Sequence, residues 1–129
     1  MRRLCRLGRG GSMTAEFSLT IPVLLVMFFG LFQVGTLFIA NAGLKNGIGE
    51  AARLATLYPR RSDDTIIQRL RSASYGINSA NLTNVVISHG IAQGTDYTEI
   101  SASYTVPMNM LVVTLPSITL SESRRVYVP

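Results

Sequence analysis

The sequence predicts an α+β protein, in which a long N-terminal transmembrane helix extends outward and is followed by a small domain with one helix packed on a mostly antiparallel sheet. Three observations predict this fold. No charged residue occurs from Phe17 to Leu44. Beyond that run, apolar residues recur every three or four positions up to Tyr58, as in a helix. After Tyr75 they alternate with polar residues, as in half-buried strands.

A hydrophobic segment at residues 17–40 is long enough to cross a membrane. Its 24 residues would form a helix of about 36 Å, and the hydrocarbon core of a bilayer is about 30 Å thick. Four basic residues precede the segment, namely Arg2, Arg3, Arg6 and Arg9. Because cytoplasmic flanks carry an excess of arginine and lysine, we expect a single pass with a cytoplasmic N-terminus and a periplasmic or extracellular C-terminal part.

The helical pattern continues beyond the span, through residues 40–58, and Pro59 ends it. This extension contains Gly43 and Gly47, a spacing that can let another helix approach closely. A glycine also weakens a helix by about 1 kcal/mol relative to alanine, and we favour this plainer interpretation.

A second helix is predicted to start at Ser62. Ser62 or Asp63 can cap the free N–H groups of its first turn, and the acids Asp63 and Asp64 suit the positive end of the helix dipole. The side expected to be buried consists of Ile66, Ile67, Leu70 and Ala73. Arg69 and Arg71 are expected to face water.

Three strands follow, predicted at residues 85–87, 99–106 and 118–127. In the second of these the buried positions are Ile100, Ala102, Tyr104 and Val106. Gly90 and residues 93–96 supply the turn before it. Pro107 and Pro116 bracket a loop or edge piece that is too short for a second membrane span.

The chain is thereby divided into three parts: a cytoplasmic basic leader at 1–11, a transmembrane helix with its extension at 12–58, and an extracytoplasmic α+β domain at 59–129. The net charge is +5, but residues 10–129 carry eight basic and seven acidic side chains, a balance of +1. A nucleic-acid-binding protein needs its basic excess on the folded part, so this class is disfavoured.

No catalytic constellation is recognisable in the sequence, and we expect neither an enzyme nor a bound cofactor. Cys5 is the only cysteine and His89 the only histidine, which rules out an internal disulfide and disfavours a metal site. The acids Asp63 and Asp64 are explained by the start of a helix rather than by paired catalytic carboxylates.

The residues around the start of the hydrophobic segment have a distinctive order. Gly11 is followed by four residues, SMTA, then by Glu16 and Phe17, and Pro22 lies close behind. Beyond the span comes EAAR, at residues 50–53. This order resembles the class III signal of type IV pilins and pseudopilins, and most closely the TadE-like proteins of the Flp/Tad branch. The resemblance covers residues 9–58.

The resemblance implies a pilin-like minor pilin or pseudopilin of a Flp/Tad (type IVb) pilus or secretion system in the bacterial inner membrane. A prepilin peptidase would cut between Gly11 and Ser12, where glycine offers an unhindered, extended backbone. Glu16 and Phe17 would serve recognition and assembly, and Pro22 would kink the helix. The implied partners are the peptidase, other pilin or pseudopilin subunits, Tad assembly proteins and membrane lipid.

Two other outcomes for the N-terminus stay open. The chain could remain uncleaved, as a single-pass, signal-anchored interaction protein of the cell envelope. Alternatively, ordinary signal peptidase could cut after Ala42, because residues 40–42 have a small-x-small form, and release a secreted domain. The apolar region, however, is longer than the roughly 7–15 residues of a typical signal core.

Overall fold

The computed structural model describes residues 10–108 and 116–128, with side chains from residue 13 onward. The elements are α1 (Gly10–Ala55), α2 (Asp63–Ala73), a short 3₁₀ helix (Ser79–Asn81), β1 (Leu82–Ala92), β2 (Thr95–Val106) and β3 (Ile118–Tyr127). The long helix, the second helix and the antiparallel sheet confirm the predicted α+β class. Residues 1–9 of the predicted leader, which include Cys5, and residues 109–115 of the loop between the two prolines lie outside the described residues.

The chain forms two compact units, one up to Val34 and the other Gly35–Pro129. The second unit therefore includes the last part of α1. The reason is that the apolar side chains of α1 from Ala40 onward pack into the hydrophobic core of this unit. The buried apolar residues are Ala40, Leu44, Ile48, Ala51, Ala52, Ala55, Ile66, Leu70, Leu82, Ile100, Ala102, Tyr104 and Val106.

The sheet has the order β1-β2-β3, with both pairs antiparallel. Its central strand, β2, buries the four alternate residues predicted for it, and Thr98 joins them at 1% exposure. β1 and β2 meet in a two-residue turn, Gln93-Gly94, in which both residues have positive φ. Such a turn matches the twist of a hairpin.

Several boundaries differ from the prediction. β1 covers Leu82–Ala92 rather than residues 85–87, and β2 begins at Thr95 rather than at residue 99. Gly90 is not in the turn but within β1, opposite Tyr97. A side chain at Gly90 would meet the Tyr97 ring at 2.6 Å, so the glycine makes room for the ring. α1 ends at Ala55 rather than at residue 58, and the N–H groups of Thr56 and Leu57 bond three residues back in a tightened last turn.

α2 begins where it was predicted, but its cap is different. Ser62 is the N-cap residue, yet its side chain makes no capping bond. Its hydroxyl lies 2.8 Å from the Thr65 hydroxyl instead. Of the predicted buried residues, Ile66 and Leu70 are buried, whereas Ile67 and Ala73 are half-buried.

Candidate functional site

The residues of the predicted cleavage motif lie in the first turns of α1. Gly11 and Ser12 follow directly on Gly10, where the helix starts, and Glu16 lies one turn further along. The bond between Gly11 and Ser12 is part of the first helical turn of α1.

Glu16 and Phe17 are both exposed on α1. They border an open surface depression together with Met13, Thr14 and Thr20. The Thr20 hydroxyl donates to the carbonyl oxygen of Glu16 at 2.8 Å. This bond satisfies the hydroxyl within the helix, which suits a polar residue at the edge of an apolar segment.

The described side chains of the first compact unit form an exposed apolar surface. Phe17 is 66% exposed, Leu19 77% and Phe28 65%. Among the described residues, one helix is long and apolar enough to cross a membrane, and only 6% of its most apolar window is buried. The core helix of a soluble domain would be mostly buried, so this segment needs lipid or other helices around it. Pro22 lies inside α1, which continues on both sides of it.

The EAAR element after the span contributes to the core of the second unit. Ala51 and Ala52 are buried within the same cluster as Leu70. Glu50 accepts a hydrogen bond from Arg69 at 2.9 Å. Arg69 is exposed to water, as predicted, and α2 also places it beside this carboxylate. The hydrogen bond lowers the pKa of Glu50 below its ordinary value of 4.5.

Because the pKa of Glu50 is lowered on folding, the ion pair stabilises the protein at pH above 4.5, and the contribution is lost as pH falls through the folded pKa. We expect a double-mutant cycle of Glu50→Gln and Arg69→Gln to show a small favourable coupling at neutral pH that disappears in acid. Urea unfolding in detergent measures it. Arg71→Gln replaces Arg69→Gln in a control cycle, and a coupling of the same size there would contradict the assignment.

Gly43 and Gly47 are where α2 and its following loop approach α1. A side chain at Gly43 would overlap the carbonyl oxygen of Tyr75, and one at Gly47 would overlap the Ser74 hydroxyl and meet the carbonyl oxygen of Leu70 at 2.8 Å. The plainer interpretation of these glycines was therefore wrong. They allow close packing, as the G-x3-G spacing permits, but against a segment of the same chain.

His89 joins the sheet to the start of α2. Its Nε2 lies 3.1 Å from Asp63 Oδ1, and its Nδ1 lies 3.0 Å from the Thr98 hydroxyl. The sequence could not pair His89 with a residue 26 positions away. Thr98 is buried, so these contacts link the start of α2, through His89, to a buried position of β2. The described ranges contain no group of three potential metal ligands.

The comparisons agree with the motif. The model of the family described as TadE-like protein matches residues 11–53. This range starts at the predicted cleavage glycine and ends with the EAAR element. No curated protein and no solved structure matches the chain. The match thus confirms the TadE-like resemblance over residues 11–53, the part of the chain that carries the exposed apolar helix.

Proposed function

We propose that the protein is a minor pilin or pseudopilin of a Flp/Tad (type IVb) system, matured by a prepilin peptidase between Gly11 and Ser12. In this role it is a structural subunit and not an enzyme. The observation that carries the proposal is the exposed apolar surface of α1. Glu16 lies directly before this surface, and Gly11 precedes Glu16 with four residues between them, the spacing of the class III signal.

The exposed helix suits a subunit that passes from lipid into a helical assembly. In the bilayer its apolar side chains face acyl chains, and in a fibre they face the helices of other subunits. Both environments are apolar, so the transfer does not require the segment to refold. The positive charge before residue 10 keeps the N-terminus in the cytoplasm and directs the second compact unit outward.

Cleavage would change the charge at the start of α1. The leader carries four arginines, and its removal leaves the amine of Ser12 four residues before Glu16. An amine and a carboxylate of neighbouring subunits at the hydrocarbon edge can offset each other's desolvation. This pairing would set the axial register between subunits.

Opening the helix at the cut costs little. Peptidases bind their substrates in extended form, so the first turn of α1 must unwind. Gly10 and Gly11 are both poor helix formers, each less favourable than alanine by about 1 kcal/mol. They lie at a helix end, where the backbone frays most readily.

The N-terminus of the membrane-extracted protein tests the proposal by mass spectrometry. We expect a mature chain that starts at Ser12, and Gly11→Leu should abolish this processing because a bulky side chain blocks the cut site. Gly35→Leu is the matched control, because nothing lies within 4 Å of a side chain there. It should be processed normally.

The other outcomes identify the alternatives. A chain that starts at Met1 is the uncleaved, signal-anchored interaction protein. One that starts at Gly43 is a secreted domain released after Ala42. Either result, or an unchanged mature mass in Gly11→Leu, would refute maturation at Gly11–Ser12.

A further inference from the structure

The loop after α2 packs beside the place where the hydrophobic segment ends. The backbone of Tyr75 lies against Gly43, and Gly76, with a φ of +68°, lies against the side chain of Ile39. The side-chain amide of Asn46 donates to the carbonyl oxygen of Ala73 at 2.9 Å, which ties the end of α2 to the same stretch of α1. These contacts hold the loop at the level of residues 39–46.

This level coincides with the outer boundary of a bilayer. Residues 17–40 span about 36 Å as a helix, compared with about 30 Å of hydrocarbon. Ile39 therefore lies close to the hydrocarbon edge. Lys45, five residues beyond Ala40, lies about 8 Å further along the axis, which is the depth of the lipid headgroups.

The side chains at this level have the chemistry of a membrane interface. Tyr75 is 55% exposed, and Phe38 and Ile39 are 68% and 53% exposed. Tyrosine is enriched at headgroup depth, where its ring meets acyl chains and its hydroxyl meets water. Lys45 and Arg71 are exposed, and neither forms an ion pair with another residue of the described ranges. They are available to lipid phosphates.

We propose that the loop directly after α2, which contains Tyr75, contacts the membrane surface together with Lys45. The ring of Tyr75 lies among the headgroups, and Lys45 binds the phosphate of an anionic lipid. The proposal rests on the anchorage of α1 in the membrane and does not depend on cleavage at Gly11. It gives the second compact unit a contact with the bilayer that a fibre subunit has to release.

Tyr58 provides a contrast on the same chain. It is 97% exposed, but it follows Ala40 by 18 residues, or about 27 Å if the helical rise is extended to it. That distance exceeds the thickness of the headgroup region. An exposed tyrosine alone therefore does not indicate a lipid contact in this protein, whereas its level along α1 does.

Tryptophan fluorescence can test the contact, because the chain contains no tryptophan. The full-length chain would be reconstituted in phosphatidylcholine vesicles with and without phosphatidylglycerol, using lipid brominated near the headgroup as the quencher. Three single-tryptophan variants are compared. Tyr75→Trp reports the loop, Tyr58→Trp is the distant control, and Phe38→Trp reports insertion of the helix.

We expect Tyr75→Trp to emit at shorter wavelength than Tyr58→Trp and to be quenched by brominated lipid, while Tyr58→Trp is not. If Tyr75→Trp behaves like Tyr58→Trp although Phe38→Trp is quenched, the proposal is overturned and the membrane anchorage stands. A blue-shifted Tyr75→Trp that is not quenched indicates burial against a second protein chain, and this also overturns it. An unquenched Phe38→Trp would remove the anchorage itself, and the proposal with it.

The role of Lys45 has its own test. In the Tyr75→Trp background, Lys45→Gln should reduce quenching in vesicles that contain phosphatidylglycerol and leave it unchanged in pure phosphatidylcholine, because a basic side chain near the surface is attracted by anionic lipid. Arg53→Gln is the matched control, since it removes the same charge from the same helix about 20 Å beyond Ala40, and it should not change the lipid dependence. An equal effect of Lys45→Gln in both vesicles would refute the phosphate contact.

Discussion

Gly43→Ala is expected to destabilise the second compact unit by about 2 kcal/mol or more. The added methyl group would overlap the carbonyl oxygen of Tyr75, which is backbone and cannot rotate away. Either α1 or the loop after α2 must move, and this opens the packing around Leu44, which is fully buried. The intrinsic preference of a helix for alanine offsets only about 1 kcal/mol of the loss.

Thermal or urea unfolding in detergent, followed by the circular dichroism of the sheet, measures this effect. Gly35→Ala and Gly49→Ala are the matched controls on the same helix. A side chain at Gly35 meets nothing within 4 Å, and one at Gly49 makes an ordinary contact of 3.4 Å with Arg124. Both should be as stable as the parent or more so. If Gly43→Ala unfolds at the same temperature or urea concentration as Gly35→Ala, the close packing at Gly43 is contradicted.

Glu16→Ala is expected to give a subunit that is matured and membrane-bound but is left out of the assembly. The proposed cut lies before Ser12, so removing the carboxylate leaves the scissile bond unchanged. In the assembly, the amine of a neighbouring subunit would lose its partner at the edge of the apolar region. Breaking such a desolvated pair costs about 3 kcal/mol, or roughly a hundredfold in an association constant.

The measurement compares the mature subunit in the membrane fraction with that in sheared fibres or in crosslinked complexes with other subunits. Glu50→Gln is the matched control, since Glu50 is also on α1 but pairs with Arg69 of its own chain. It should assemble normally. Normal incorporation of Glu16→Ala would refute the proposed pairing, whereas loss of the mature form would place Glu16 in peptidase recognition instead.

Much of the fold follows from local patterns. The uncharged run from Phe17 and the periodicity after it predict α1, and the alternation from Ile100 to Val106 predicts which face of β2 is buried. These predictions succeed because each depends on side chains that are neighbours in one element. The motif from Gly11 to Phe17 is recognisable for the same reason, since its residues lie within two turns of one helix.

Other features required the tertiary structure. The sequence could not show that Gly43 packs against Tyr75, that Glu50 pairs with Arg69, or that His89 reaches Asp63, because each contact joins residues far apart in the chain. It also placed Gly90 in a turn, whereas cross-strand packing of a tyrosine ring puts it in a strand.

The sequence by itself determined that this protein has a long helix with an uncharged segment, that a glycine, a glutamate and a phenylalanine lie at the start of this segment, and that a small α+β domain follows. Composition and spacing along the chain are sufficient for that conclusion. Only the tertiary structure shows that the end of the same helix packs into the core of the domain. It also shows that Tyr75 lies at the level where the apolar segment ends. Such contacts depend on which elements pack together, and the free energy of packing is not encoded in any single segment.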